Sequence, residues 1–146
     1  MGTEKIGVLP IQTLKTLLEA GRIRGVDQKY LNPASVDLPL SEEAYRLESI
    51  FLPRRGEKIR DLIEKVGGKP YDLSNQLEVG LPYLIRIDGF FKFPKNVYGF
   101  ANPKSSSGRL NMFCRVVADG VAMYDALLGP EGSGGWRGEM WVLVRT

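Results

Sequence analysis

A mainly β fold, a barrel or sandwich with two peripheral helices, is what this chain predicts, and three observations predict it. Short extended runs recur through the second half, each bounded by Gly, Pro, Asn or Asp. Only two segments carry apolar residues at helical spacing. Strands and helices do not alternate as a βαβ fold requires.

The first helix is expected just after Pro10, where Ile11, Leu14, Leu17 and Leu18 fall on one face and Gly21 closes the segment. That face is expected to dock on a sheet. In NPASVDLPL, residues 32–40, Ser35, Asp37 and Pro39 alternate with Val36, Leu38 and Leu40, which predicts a strand with one buried face. Pro39 cannot donate to a ladder, so its end belongs at an edge or a turn. Residues 45–52 read as a second strand. Pro53 and Gly56 lead into a second helix carrying Ile59, Leu62, Ile63 and Val66 on one face, ended by Gly67 and Gly68. Its other face holds Lys58, Arg60, Asp61, Glu64 and Lys65, read most simply as a solvated surface.

Further strands are expected over 81–87, 90–93, 97–101, 116–118 and 136–144, the last interrupted only by Gly138. Between the last two lies LLGPEGSGG, residues 127–135, with four glycines and one proline, a composition that predicts a mobile loop.

At 146 residues the chain is one domain by length and can bury a core without staples. A net charge of +3 suits a site that receives polyphosphate, but it is too small and scattered to indicate nucleic acid. There is no histidine, which removes the commonest general base and neutral metal ligand. The single cysteine, Cys114, cannot make an intrachain disulfide and argues against a structural zinc site. Catalysis here would have to run on carboxylates, hydroxyls, Lys, Arg and bound water. No run of apolar residues approaches a membrane span and no secretory h-region opens the chain. The expectation is therefore a cytoplasmic protein with no membrane or nucleic-acid partner.

The chemically richest stretch is PKSSSGR, residues 103–109. Ser105, Ser106 and Ser107 lie between Lys104 and Arg109, in a turn that Gly108 makes feasible. Successive N–H groups in such a turn converge on an anion, Lys104 adds a point charge, and Arg109 adds a planar fork suited to phosphate. This could cradle a triphosphate, although it is not a P-loop. Serine-rich basic turns are also common surface features, and local chemistry leaves the two readings open.

Three ordered stretches then carry a resemblance. ANPKSSSGRLNMFCRVVADG, residues 101–120, resembles the signature of the deoxycytidine triphosphate deaminases, in which a Ser-Ser-x-x-Arg turn precedes an alanine-containing strand. LNPASVDLPL, residues 31–40, is similar to that family's early strand, with Ser41 where the family carries glycine. EVGLPYLIRIDGFFKFPKNVYGFANPKSS, residues 78–106, resembles the approach to the serine motif. The likeness spans nearly the whole chain and is strongest to the first half of a two-domain bacterial form, which also carries the inserted FLP segment and the helix after it.

The resemblance implies a distorted β-barrel, or β-clip, of the dUTP diphosphatase-like type. It implies a homotrimer with sites between subunits, and Mg²⁺ bound through the substrate triphosphate rather than a protein metal site. The implied ligand is a deoxynucleoside triphosphate, and the implied reaction is deamination of dCTP to dUTP and ammonia or a related reaction on a pyrimidine nucleotide. On the matching positions Lys104 and Arg109 would hold phosphates and position the base. Ser105 would contact the catalytic water or substrate, with Ser106 and Ser107 beside it, and the Ala118 carbonyl would orient that water. Residues 117–120, including Val117 and Asp119, would line the nucleobase pocket, with Asp119 standing where many members carry a different polar residue.

Deamination also needs a carboxylate to move protons between the water, the ring and the leaving amine. The family pattern G-[WY]-x-G-x-x-x-x-E, laid on Gly135, Trp136 and Gly138, puts that group at Leu143. Glu139 has the same strand parity and is the candidate substitute, although four strand residues span about 13 Å. GWRGE, residues 135–139, also resembles the segment that follows the catalytic aspartate of dUTP diphosphatases, with Asp125 the nearest upstream candidate. Three functions stand at this point: dCTP deaminase, dUTP diphosphatase, and a catalytically inactive nucleotide-binding or structural member of the fold. The family pattern continues past the last strand, so the domain over 1–146 is expected to be truncated at its C-terminus.

Overall fold

Helix α1, Ile11–Glu19, forms where its apolar spacing predicts, with Leu14 and Leu17 buried. The computed structural model describes residues 7–102, 112–130 and 132–146. After α1 come β1 (Ile23–Arg24), a 3₁₀ turn over Gln28–Tyr30, β2 (Leu40–Arg46), α2 (Ile59–Leu62) and β3 (Lys69–Pro70). Then follow β4 (Pro82–Ile87), β5 (Phe90–Lys92), β6 (Gly99–Phe100), β7 (Phe113–Ala118), β8 (Ala126–Leu127), β9 (Arg137–Gly138) and β10 (Met140–Arg145). The protein is mainly β with two short helices, the distorted dUTP diphosphatase-like form. No sheet among the described residues closes into a barrel.

The largest sheet has the order β3-β2-β4-β10-β7, and its pairings are all antiparallel. Two small sheets, β1-β5-β9 and β6-β8, complete the fold. Strand alternation divides β10 between two cores. Met140, Val142 and Val144 join the larger core with Ile85, Ile87, Phe91 and Leu17. Trp141 and Leu143 join a smaller core with Leu47, Leu84, Val117 and the α2 residues Ile59 and Ile63. Helix α2 thus covers one face of the main sheet.

The chain departs from its expected elements in several places. Residues 35–39 make no ladder beyond an isolated bridge between Leu31 and Val36. Asn32 Nδ2 donates to Asp37 Oδ1 and the Asp37 N–H donates to the Tyr30 carbonyl, local bonds that take the place of a ladder, while the Pro39 carbonyl accepts the Asp88 N–H. Val36 and Leu38 still pack on the larger core, which is why the alternation reads as a strand. The strand expected over 45–52 lies earlier, as β2. Helix α2 spans a single turn, and the stretch after it closes through Gly68 N–H to the Ile63 carbonyl. The final strand is two, β9 and β10, in different sheets. The glycine-rich loop is tied down by Gly129 N–H to Ser133 O and Gly135 N–H to Val97 O.

Candidate functional site

Strand β7 ends in a tight turn, where the Val121 N–H donates to the Ala118 carbonyl at 3.1 Å. Gly120 sits there at φ +71°, a dihedral that glycine adopts without strain. Asp119, between them, is held by four hydrogen bonds. Its carboxylate accepts the Ile59 N–H at 2.9 Å through Oδ1 and the Glu139 N–H at 3.0 Å through Oδ2. Its backbone carbonyl accepts the Trp136 indole N–H at 2.8 Å, and its N–H donates to the Glu139 carbonyl at 3.2 Å. Asp119 is thereby a long-range cap for α2 and a tie between the ends of β7 and β10. A Cβ on Gly138 would lie 2.9 Å from the Asp119 side chain, so a glycine at 138 permits this approach.

The loop before α2 is fastened to the same turn. Gly120 N–H donates to Glu57 O at 2.7 Å and Gly56 N–H to Gly120 O at 3.4 Å. Beside this junction opens a cleft of about 460 Å³, lined by Arg55, by residues 120–123 and by the glycine-rich loop at 128–130 and 132. That volume is in the range of small-molecule sites.

On the α2 side of the sheet lies a charged cluster that the sequence reading missed. Arg60 grips both oxygens of Glu43, at 2.7 and 3.1 Å, and its guanidinium lies 5.2 Å from the Trp141 ring centroid. Arg60 also pairs with Glu139 at 3.4 Å. Arg86 reaches Glu43 at 3.1 Å and Glu139 at 3.8 Å, and the Tyr45 hydroxyl donates to Glu43 at 2.7 Å. The Arg60 guanidinium above all holds the Glu43 carboxyl down at about 2, against its ordinary 4.5. Arg60 therefore stands on the exposed face expected of it and also belongs to an ion-pair network. Its partners lie 17 and 79 positions away, so no local pattern could have signalled them.

A family model, the 2'-deoxycytidine 5'-triphosphate deaminase N-terminal domain, matches residues 5–145. The chain belongs to this family. Eighteen chains of solved structures match. One is the crystal structure of 2'-deoxycytidine 5'-triphosphate deaminase from Agrobacterium tumefaciens, 28% identical with a TM-score of 0.83 over 95% of this chain and 40% of that chain. The chain thus spans 40% of the length of that relative. Comparison with curated proteins finds no match. Among the described residues no helix is long and apolar enough to cross a membrane.

Within this deaminase-family domain the expected site residues fall into distinct settings. Lys104, Ser105, Ser106, Ser107 and Arg109 lie outside the described residues. Ala118 is wholly buried, and its carbonyl accepts the Val121 N–H. Val117, expected at the nucleobase pocket, is wholly buried, with its side chain in the smaller core. Asp119 turns its carboxylate onto backbone N–H groups of its own chain.

Glu139 does share its sheet face with Leu143, but its carboxylate is engaged by Arg60 and Arg86. Leu143 is 1% exposed beneath α2. Asp125 also has both oxygens occupied, by the Val116 N–H at 2.8 Å and by Arg115 at 2.7 Å. The implied Mg²⁺ would be carried by a triphosphate. The described residues contain no group of three or more His, Cys, Asp or Glu that could hold a metal by themselves.

Proposed function

We propose that this chain binds a pyrimidine deoxynucleoside triphosphate, and that it serves the deamination of dCTP to dUTP and ammonia. What carries this reading is the cleft beside the Asp119-locked turn, in a domain that matches the deaminase family along nearly its whole length. In the proposed complex Lys104 and Arg109 hold phosphates, and the Ser105 hydroxyl and Ala118 carbonyl orient a water toward C4 of the base. Mg²⁺, bound through the triphosphate, would neutralise phosphate charge. The same proposal includes a homotrimer and a cytoplasmic setting.

For the reaction to complete, the water must lose a proton and the ring nitrogen and departing amine must gain protons. Among the described residues, the candidate carboxylates of Asp119, Asp125 and Glu139 are each already hydrogen-bonded or ion-paired. Leucine at 143 cannot shuttle a proton. We therefore place the acid/base group outside this set, on another subunit or another domain.

The second reading is a member that binds without turnover, and the burial of Leu143 under α2 is what favours it. The diphosphatase alternative rests on Asp125, whose carboxylate is engaged on both oxygens. Incubation with Mg²⁺ and either dCTP or dUTP separates the three. Ammonia from dCTP without pyrophosphate supports the deaminase, and pyrophosphate from dUTP supports the diphosphatase. Saturable binding with neither product supports the binding member, and no binding of either nucleotide overturns the proposal.

A further inference from the structure

We infer that Arg55, on the loop leading into α2, is a phosphate-contacting residue of the cleft, a second cationic contact separate from the 104–109 turn. The inference deepens the nucleotide-binding reading and rests on it for the identity of the ligand.

The first support is the make-up of the cleft. Arg55 is the one charged side chain among its described lining residues, and Val121, Met123, Leu128 and Pro130 supply apolar wall. A cation in a concavity with low-dielectric walls focuses field on whatever enters, so the cleft favours a ligand with an anionic group attached to an apolar or planar body. A nucleoside polyphosphate is such a ligand.

The second is how Arg55 is positioned. Its neighbours are fastened on both sides: Arg54 N–H donates to the Glu57 carboxylate at 2.7 Å, and Glu57 O and Gly56 N–H pair with Gly120. Two residues on, Ile59 N–H is held by Asp119. The side chain therefore departs from a backbone locked to the turn that carries the Ala118 carbonyl, which limits the backbone entropy lost on binding.

The third is its availability. Arg60, on α2, is consumed by Glu43 and Glu139. Arg55 is exposed and makes no ion pair with any described residue. Its planar fork can take a phosphate bidentately, which a lysine at the same place could not.

The test uses the full chain with three probes: tripolyphosphate, Mg·dCTP, and deoxycytidine, which lacks phosphate. Arg55→Ala should raise the Kd for tripolyphosphate and for Mg·dCTP by about tenfold or more, with deoxycytidine unchanged. Arg55→Lys should recover part of the loss, and Arg54→Ala, at a residue that does not line this cleft, should behave as wild type. Equal thermal midpoints for the variants show that folding is not what changed. If wild type binds Mg·dCTP and Arg55→Ala binds it within about twofold, the Arg55 inference falls and the nucleotide reading stands. If wild type binds tripolyphosphate through Arg55 but not dCTP, the inference stands and the nucleotide reading falls. Wild type binding neither overturns both.

Discussion

The Asp119 carboxylate accepts the Ile59 N–H at 2.9 Å across 60 positions of sequence, and this bond joins the candidate site to α2. The second oxygen holds Glu139 N–H at 3.0 Å, so a single side chain fixes the turn after β7, the entry to β10 and the start of the helix. Removing it leaves two N–H groups without acceptors. Asp119→Ala is expected to destabilise the fold by about 1–3 kcal/mol for each orphaned donor that water does not reach. Urea unfolding measures it, and a change under about 0.5 kcal/mol would sink the strut role.

Leu143 gives the sharpest test of what the pattern alone would prescribe. Restoring the family's glutamate there would push a carboxylate between Ile59, Ile63, Leu84 and Trp141. Burying an unpaired charge is strongly unfavourable, so Leu143→Glu is expected to lower stability by several kcal/mol and to yield no deaminase activity. Leu143→Ala should cost about 2–5 kcal/mol by leaving a cavity. A Leu143→Glu protein as stable as wild type, releasing ammonia from dCTP, would falsify the sealed-face description.

Glu139 is expected to act as an ion-pair member. Glu139→Gln weakens only partly exposed pairs with Arg60 and Arg86, worth about 0–1 kcal/mol, and should leave nucleotide affinity and any turnover unchanged. Loss of turnover with intact binding and stability would restore Glu139 to the acid/base role.

Acid should loosen the α2 cluster. The Glu43 carboxyl is held at about 2 in the folded protein against 4.5 ordinarily, so between those values the unfolded chain binds more protons. The Glu43 contribution is therefore complete above about pH 5 and is lost as pH falls toward 2. Unfolding midpoints followed over that window should fall less steeply for Glu43→Gln than for wild type. Parallel curves would show that Glu43 contributes nothing to the acid limb.

For the 104–109 turn, Arg109→Ala should weaken triphosphate binding far more than Arg137→Ala, since Arg137 is exposed on β9. Equal affinities by calorimetry would remove Arg109 from the cradle.

Much of this was legible in residue order. The spacing of Ile11, Leu14, Leu17 and Leu18 located α1, and β10 falls largely within the strand expected over 136–144. Residues 35–39 misled because Val36 and Leu38 pack, partly buried, on the larger core from a segment with only an isolated bridge, and an apolar period of two does not require a ladder. Strands of two residues, such as β1, β3 and β9, are too short to leave a period at all.

Family, sheet-rich class and the residues to watch follow from local order: PKSSSGR, the alanine before Asp119, and a leucine where a proton carrier is expected. Which carboxylates are spoken for does not. Asp119, Asp125 and Glu139 look equally available as letters. Only the folded chain brings Ile59 N–H, Val116 N–H, Arg60 and Arg86 onto their oxygens, because those partners meet through antiparallel pairing and the docking of α2. The burial of Leu143 and the setting of Arg55 in the cleft arise the same way, from contacts between segments that local sequence does not relate.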